Sequence, residues 1–222
     1  MPEGPQPTAV FDIIGTCFSL DKPRQALARL GAPEHALELW FAQSLRDSFA
    51  FSHAGGYAPL KDVLKAELAR TAAQLGLEAS EDDLRSVLGT FAELDPRPDL
   101  AEALELLANI DWKLLALTMG AVESTRGLLD RAGLADHFEA LLSCDSIAIT
   151  KPNATAYQLA LERSRGETWM VAAHAWDIAG ASRAGLKTVF VSSVEGSYLD
   201  VYPKPDLVTS SLLEAARALV EL

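Results

Sequence analysis

Ala9-Val10-Phe11-Asp12-Ile13-Ile14-Gly15-Thr16 runs a short apolar segment into a carboxylate, with Gly-Thr three residues later. An apolar run closed by a turn signal reads as a buried parallel strand, Val10–Ile14, that delivers Asp12 to its C-terminal end before a tight backbone turn. Open α/β sheets keep their chemistry at the carboxyl ends of strands. A carboxylate placed there, facing a Gly-Thr loop, can act as a nucleophile. An Asp that only caps the turn fits this segment equally well.

Three later segments repeat the pattern. Leu115-Ala116-Leu117-Thr118-Met119-Gly120 is an apolar run ending in a hydroxyl and a glycine. Ile149-Thr150-Lys151-Pro152-Asn153 sets a lysine just before a proline and a helical stretch. Trp169-Met170-Val171-Ala172-Ala173-His174-Ala175-Trp176-Asp177 is a further strand, Trp169–His174, leading to a carboxylate at the mouth of a helix. From Asp99 onward strands and helices alternate, which argues for a parallel sheet covered on both faces. The fold class expected is α/β, a doubly wound, Rossmann-like core. Between the first strand and the linker Asp95-Pro96-Arg97-Pro98 the spacing is helical throughout: Pro23–Leu30, Pro33–Phe51, Pro59–Leu75 and Ser80–Leu94, separated by glycines. Ser80 followed by Glu81-Asp82-Asp83 is a capped helix start with acids in its first turn. The organisation expected is a core at 8–19 and 95–222, a helical cap inserted at 20–94, and a loose, Pro/Gly-rich tail at 1–7 without a signal-peptide pattern.

Composition limits the partners. Nineteen Lys and Arg against 31 Asp and Glu leave a formal charge of −12, which repels nucleic acid and anionic membranes. Any positive charge in the site must therefore be local. No apolar run approaches the ~20 residues a membrane span needs. Cys17 and Cys144 belong to no Cys/His cluster, so neither suggests zinc, and two isolated cysteines fit reduced thiols in a cytoplasm, the location expected. Cys17 follows Gly15-Thr16 and lies either near the site or, the favoured alternative, in the core as a small apolar side chain.

Taken in order, Asp12, Thr118, Lys151 and Asp177 resemble the four motifs of the haloacid dehalogenase superfamily, over a span from Val10 to about Val208. Within it the chain is most similar to the L-2-haloacid dehalogenases: Asp12-x-x-Gly15-Thr16 without a second Asp, Tyr157 six residues after Lys151, and Ala175-Trp176-Asp177. Phosphatases of this fold carry Asp-x-Asp, whose second Asp protonates a departing alkoxide. Ile14 holds that position here and can neither give nor take a proton. An alkoxide leaves poorly without a general acid, whereas a halide is a weak base and needs none. The resemblance implies a cap over the active site and a covalent route. Asp12 would attack the halogen-bearing carbon of a small 2-halo carboxylic acid, and water near Asp177 would hydrolyse the ester. Lys151 would supply positive charge, Thr16 and Thr118 would donate hydrogen bonds, and Tyr157 would orient Lys151 or the substrate. It implies Ile13, Phe41, Met119, Tyr157, His174 and Trp176 as substrate-binding residues, no metal, no cofactor, and a homodimer as a common assembly.

The chain also departs from that family. The cap pair Trp-Arg, whose Arg cradles the halide, is Trp40-Phe41. Arg46, five residues on, points about 140° away from Phe41 around the helix. Met119 replaces an Asn, and Ala172 and His174 replace a Ser and an Asn. His174 reads either as a group that positions the hydrolytic water or takes its proton, or as a core histidine with satisfied nitrogens. Three functions compete: a metal-independent dehalogenase-type hydrolase, a Mg-dependent phosphatase, and a catalytically silent relative that binds a ligand.

Overall fold

The computed structural model describes residues 6–222. The chain divides into two compact units, one formed by the residues up to Phe18 with Pro96–Leu222, the other by Ser19–Asp95.

The first unit is built on β1 (Thr8–Phe11), α5 (Leu100–Ala108), β2 (Lys113–Thr118), α6 (Val122–Ala132), β3 (Ala140–Ser143), α7 (Ala154–Leu161), β4 (Thr168–Ala172), α8 (Ala175–Arg183), β5 (Lys187–Val191), β6 (Leu207–Thr209) and α9 (Leu212–Val220). All strand pairs are parallel and the order is β3-β2-β1-β4-β5-β6. The chain builds outward from β1 to β3, then returns to the other side of β1 and builds outward again to β6. The point where it reverses lies between β1 and β4, where doubly wound sheets gather ligands. Central strands buried on both faces read as unbroken apolar runs, and every residue of β1 and β4 is buried. On one face Val10, Leu115, Leu117, Met170, Ala172 and Phe190 pack with Tyr157, Ala160 and Ile178 of α7 and α8. On the other, Phe11 meets Phe138 edge-on with centroids 6.1 Å apart. Burying one such phenyl ring contributes about 1.5–3 kcal/mol.

Element bounds shift from the sequence expectation by up to three residues, and at three places the shift has a local cause or consequence. β1 stops at Phe11 instead of Ile14, because the chain turns at once: the Ile13 carbonyl accepts the N–H groups of Cys17 and Phe18, both at 2.9 Å, and Gly15 adopts φ 87°. β4 ends at Ala172, so His174 is the residue before α8 and lies outside the strand. The helix expected over Ser80–Leu94 is α4 (Glu81–Gly89) followed by a 3₁₀ turn at Thr90–Glu93. Of the tail expected at 1–7, residues 1–5 lie outside the described residues. Gln6 and Pro7 are held: Gln6 donates to the Asp111 carbonyl at 2.8 Å, and Lys113 N–H donates to the Pro7 carbonyl at 2.9 Å.

The second unit holds α1 (Asp21–Arg29), α2 (Ala36–His53), α3 (Leu60–Gln74) and α4. Trp40 is fully buried at its centre; its indole N–H donates to the Leu64 carbonyl at 2.9 Å, and Phe91 meets its ring edge-on. The capping box at Ser80 is present, with Asp83 N–H donating to Ser80 Oγ and Ser80 N–H donating back to the Asp83 carboxylate at 2.9 Å. Among the described residues no helix is long and apolar enough to cross a membrane.

Candidate active site

The loop after β1 presents its carboxylate in a fixed pose. Asp12 N–H continues the pairing to β4 through the Val171 carbonyl at 3.1 Å, while the turn at Gly15 brings Thr16 back beneath the side chain. Thr16 Oγ1 donates to Asp12 Oδ2 at 2.6 Å and accepts the Ala173 N–H at 2.9 Å, so one hydroxyl ties the β1 and β4 loops together.

Lys151 arrives from the loop after β3. It passes under β2, donating to the Leu117 carbonyl at 3.1 Å, and ends between two carboxylates: Asp12 Oδ1 at 2.8 Å and Asp177 Oδ2 at 2.7 Å. Lysine and Asp177 are fully buried and Asp12 nearly so. Burial disfavours the ammonium, but the charges of Asp12 and Asp177 outweigh it and hold the lysine pKa above its ordinary value. Burial also raises Asp177, with Lys151 pulling it down and Asp12 pushing it up. The other Asp177 oxygen accepts the Tyr157 hydroxyl at 2.6 Å, and the Asp177 carbonyl accepts the same hydroxyl at 3.0 Å. Gly180, one turn along α8, leaves room for this pair: a Cβ there would stand 2.5 Å from Tyr157 Oη and 2.8 Å from the Pro152 carbonyl oxygen. One ammonium thus fixes the nucleophile candidate and a second carboxylate together, and each carboxylate keeps a hydroxyl on its remaining oxygen.

Lys151 Nζ thus lies between Asp12 and Asp177 as the counter-charge to both. Among the described residues no group of three His, Cys, Asp or Glu side chains is spaced to hold a metal ion. Ile14, half-buried, lies by Gly120, where a Cβ would be 3.5 Å from Ile14 Cδ1. An apolar side chain therefore stands two residues after Asp12, and no proton donor.

His174 lies across the mouth of the Asp12 loop. A Cβ on Gly15 would stand 2.5 Å from His174 Nε2, so the imidazole edge rests where only glycine fits. The ring stacks on Trp176, centroids 5.7 Å apart and planes 12° from parallel, and Lys151 Nζ lies 5.8 Å from the Trp176 ring centre. Its Nδ1 is 3.2 Å from Glu195 Oε1. Burial pushes the imidazolium down, but the Glu195 hydrogen bond and the charges of Asp12, Glu195 and Asp177 outweigh it and raise the pKa.

Of the residues singled out from the sequence, the structure gathers Asp12, Thr16, Lys151, Tyr157, His174, Trp176 and Asp177. Thr118 ends β2 beside them, but its Oγ1 accepts the Gly120 N–H at 2.9 Å and so fixes the β2–α6 turn. Ile13 is fully buried and Met119 nearly so. The Ile13 side chain packs in the core, and its carbonyl holds the loop. Phe41 belongs to α2 of the other unit, next to the buried Trp40, and is half-buried. The Arg46 guanidinium is taken up by Asp47, at 2.6 and 3.0 Å. Cys17 is fully buried, and burial followed by the Asp12 charge raises its thiol pKa. It is a core residue and no thiolate nucleophile. The sequence reading missed Glu195. It sits in the loop after β5, outside any motif, and the only available signal was an acid next to Gly196 just past the carboxyl end of a strand.

The family model for haloacid dehalogenase-like hydrolases matches residues 7–185. The (S)-2-haloacid dehalogenase of Xanthobacter autotrophicus is 31% identical over 188 residues, 82% of this chain and 74% of that protein. (S)-2-haloacid dehalogenase 2 of Pseudomonas sp. (strain CBS-3) is 27% identical over 92% of both chains. A solved structure of L-2-haloacid dehalogenase from Xanthobacter autotrophicus, with chloropropionic acid covalently bound, superposes with a TM-score of 0.86 at 27% identity, covering 97% of this chain and 98% of that one.

Proposed function

We propose that this chain, which belongs to the haloacid dehalogenase-like hydrolase family, hydrolyses the carbon–halogen bond of a small 2-halo carboxylic acid through an ester on Asp12 and without a metal. The observation that carries this is Lys151, which holds Asp12 and Asp177 at 2.8 and 2.7 Å in a buried cluster. In the first step one Asp12 carboxylate oxygen bonds to C2, and the C–X bond breaks with its electron pair leaving on the halide. A halide needs no proton to leave, so the apolar Ile14 costs nothing. Lys151 orients one Asp12 oxygen and sets a positive charge beside it, and Thr16 fixes the other oxygen. In the second step water adds to the ester carbonyl carbon, Cγ of Asp12. The bond from Cγ to the substrate oxygen breaks, the departing alkoxide takes a proton to become the 2-hydroxy acid, and one proton reaches solvent. Asp177, joined to Asp12 through Lys151, and His174, against Gly15 of the Asp12 loop, are the groups that handle these protons in this reading. The covalently bound chloropropionic acid in the Xanthobacter enzyme supports the same route here.

Halide release from the two 2-chloropropionate enantiomers and from haloacetates, with and without EDTA, tests this. Release from the (S) enantiomer that survives EDTA and disappears in Asp12→Asn is expected. Release that requires Mg²⁺, or turnover of a phosphate ester in place of any halide release, overturns it.

A further inference from the structure

Glu195 lies in a turn after β5, and both its carboxylate oxygens point back into the site. Oε2 accepts the Ala175 N–H, at the start of α8, at 2.9 Å, and Oε1 faces His174 Nδ1 at 3.2 Å. The turn is itself braced: Gly196 N–H donates to the Ser192 carbonyl and Ser197 N–H to the Glu195 carbonyl, both at 2.8 Å. The imidazole is thereby clamped on three sides, by Glu195, by the Trp176 ring, and by Gly15 of the nucleophile loop. A carboxylate behind an imidazole fixes its tautomer and orientation and favours its protonated form.

Resting on the hydrolase reading above, we propose that Glu195 is a positioning residue of this site: it holds the His174 imidazole, and a proton on it, against the Asp12 loop. The charges that act on His174 include Glu195 from the β5 loop, which touches it, Asp12 from the β1 loop and Asp177 from α8, with Lys151 reaching the last two. Esterification removes one of the three negative charges. His174 then gives its proton to solvent, and the neutral ring can take one from the water adding to Asp12 Cγ. That proton passes to the departing alkoxide. The Asp12 carboxyl released by the collapse returns a proton to the ring, restoring the resting state with one proton lost to solvent overall.

The test is an imidazole ¹H–¹⁵N NMR titration of the full chain, with His174→Asn to assign the signal, on the wild type, Glu195→Gln and Asp12→Asn. Asn at position 12 carries no charge, as the ester does, and leaves the 195 turn untouched. The His174 midpoint should move to lower pH in both variants. In haloacid turnover Glu195→Gln should lower kcat about tenfold or more with KM little changed, move the acid limb of kcat to lower pH, and be partly rescued by Glu195→Asp. A midpoint unmoved in either variant overturns the proposal, as does lost activity with an unmoved limb. Absence of halide release in the wild type, with both midpoints shifted, would sink the hydrolase reading and leave the charge coupling standing.

Discussion

Lys151→Met removes the ammonium from between two buried carboxylates and leaves an unbranched side chain of similar length. Lys151 and Asp177 are fully buried, and the lysine makes bonds of 2.8 and 2.7 Å to Asp12 and Asp177. Removing one partner of a buried ion pair costs about 3–5 kcal/mol, because the remaining charge is left uncompensated. For 222 residues unfolding together, the entropy is about 0.47 kcal/mol/K, so the thermal midpoint should fall by about 6–11 °C at pH 8. The loss should depend on pH. Burial holds the Asp177 carboxyl above the ordinary range and Lys151 is the chief influence pulling it down, so the variant raises it further. A carboxyl with its folded pKa above its unfolded one stabilises the fold below about pH 4, and that contribution is lost as pH climbs through the folded value. The deficit should therefore be largest at pH 8 and shrink toward about pH 5. Thermal and urea unfolding of both proteins at the two pH values measure it, with turnover abolished throughout. A midpoint lowered by less than about 2 °C at pH 8, or an equal deficit at both pH values, would refute the claim that Lys151 neutralises this cluster.

Gly15→Ala forces a Cβ onto a residue at φ 87° and within 2.5 Å of His174 Nε2. It should destabilise the fold by about 1–3 kcal/mol in urea unfolding and abolish turnover by displacing the ring. Gly180→Ala sets a Cβ against Tyr157 Oη and the Pro152 carbonyl. A loss of about 1–3 kcal/mol is expected, with turnover falling as Tyr157 is driven from Asp177; unchanged kinetics would mean that α8 yields without cost. Tyr157→Phe removes a hydrogen bond that lowers the Asp177 pKa. It should cost about 1.5–3 kcal/mol in urea unfolding and lower turnover.

The strands were legible where an apolar run ends in a turn residue. The apolar run Leu115–Thr118, closed by Met119-Gly120, is the C-terminal part of β2. β1 was overextended because Ile13 and Ile14 continue the apolar run into a loop that is itself buried, and hydrophobicity cannot separate a buried strand from a buried turn. The split of Ser80–Leu94 was hidden for a similar reason: Thr90–Glu93 keeps a helical composition while tightening to 3₁₀. In the site, Asp12, Lys151, Tyr157 and Asp177 were legible because each sits at a strand end or a fixed spacing from a marked loop. What the spacing does not carry is which oxygen each donor takes. Thr16 proves to bridge two loops, and Thr118 serves its own turn. Glu195 lies 18 residues beyond Asp177 in a loop without a motif, and only three-dimensional closure of the β5 turn brings it to His174.

The Ser19–Asp95 unit begins and ends at one spot. Ser19 N–H donates to the Asp95 carbonyl at 2.9 Å, and Phe18 bridges Pro96 one step further out. β1 and β2 pair in the register Thr8 to Lys113, so during synthesis β1 waits about 105 residues, roughly 5–20 s at ordinary ribosomal speed, for its first neighbour. An insert that folds as it emerges shortens that wait in effect: with its ends already joined, the loop closed by β1–β2 pairing shrinks about fourfold, which is worth roughly 1.2 kcal/mol. Folding order on the ribosome is thereby built into the placement of the insert, helices first and sheet afterwards. A substitution that delays the insert would show its effect as aggregation of nascent chains through the unpaired β1, long before any loss of stability in the finished protein.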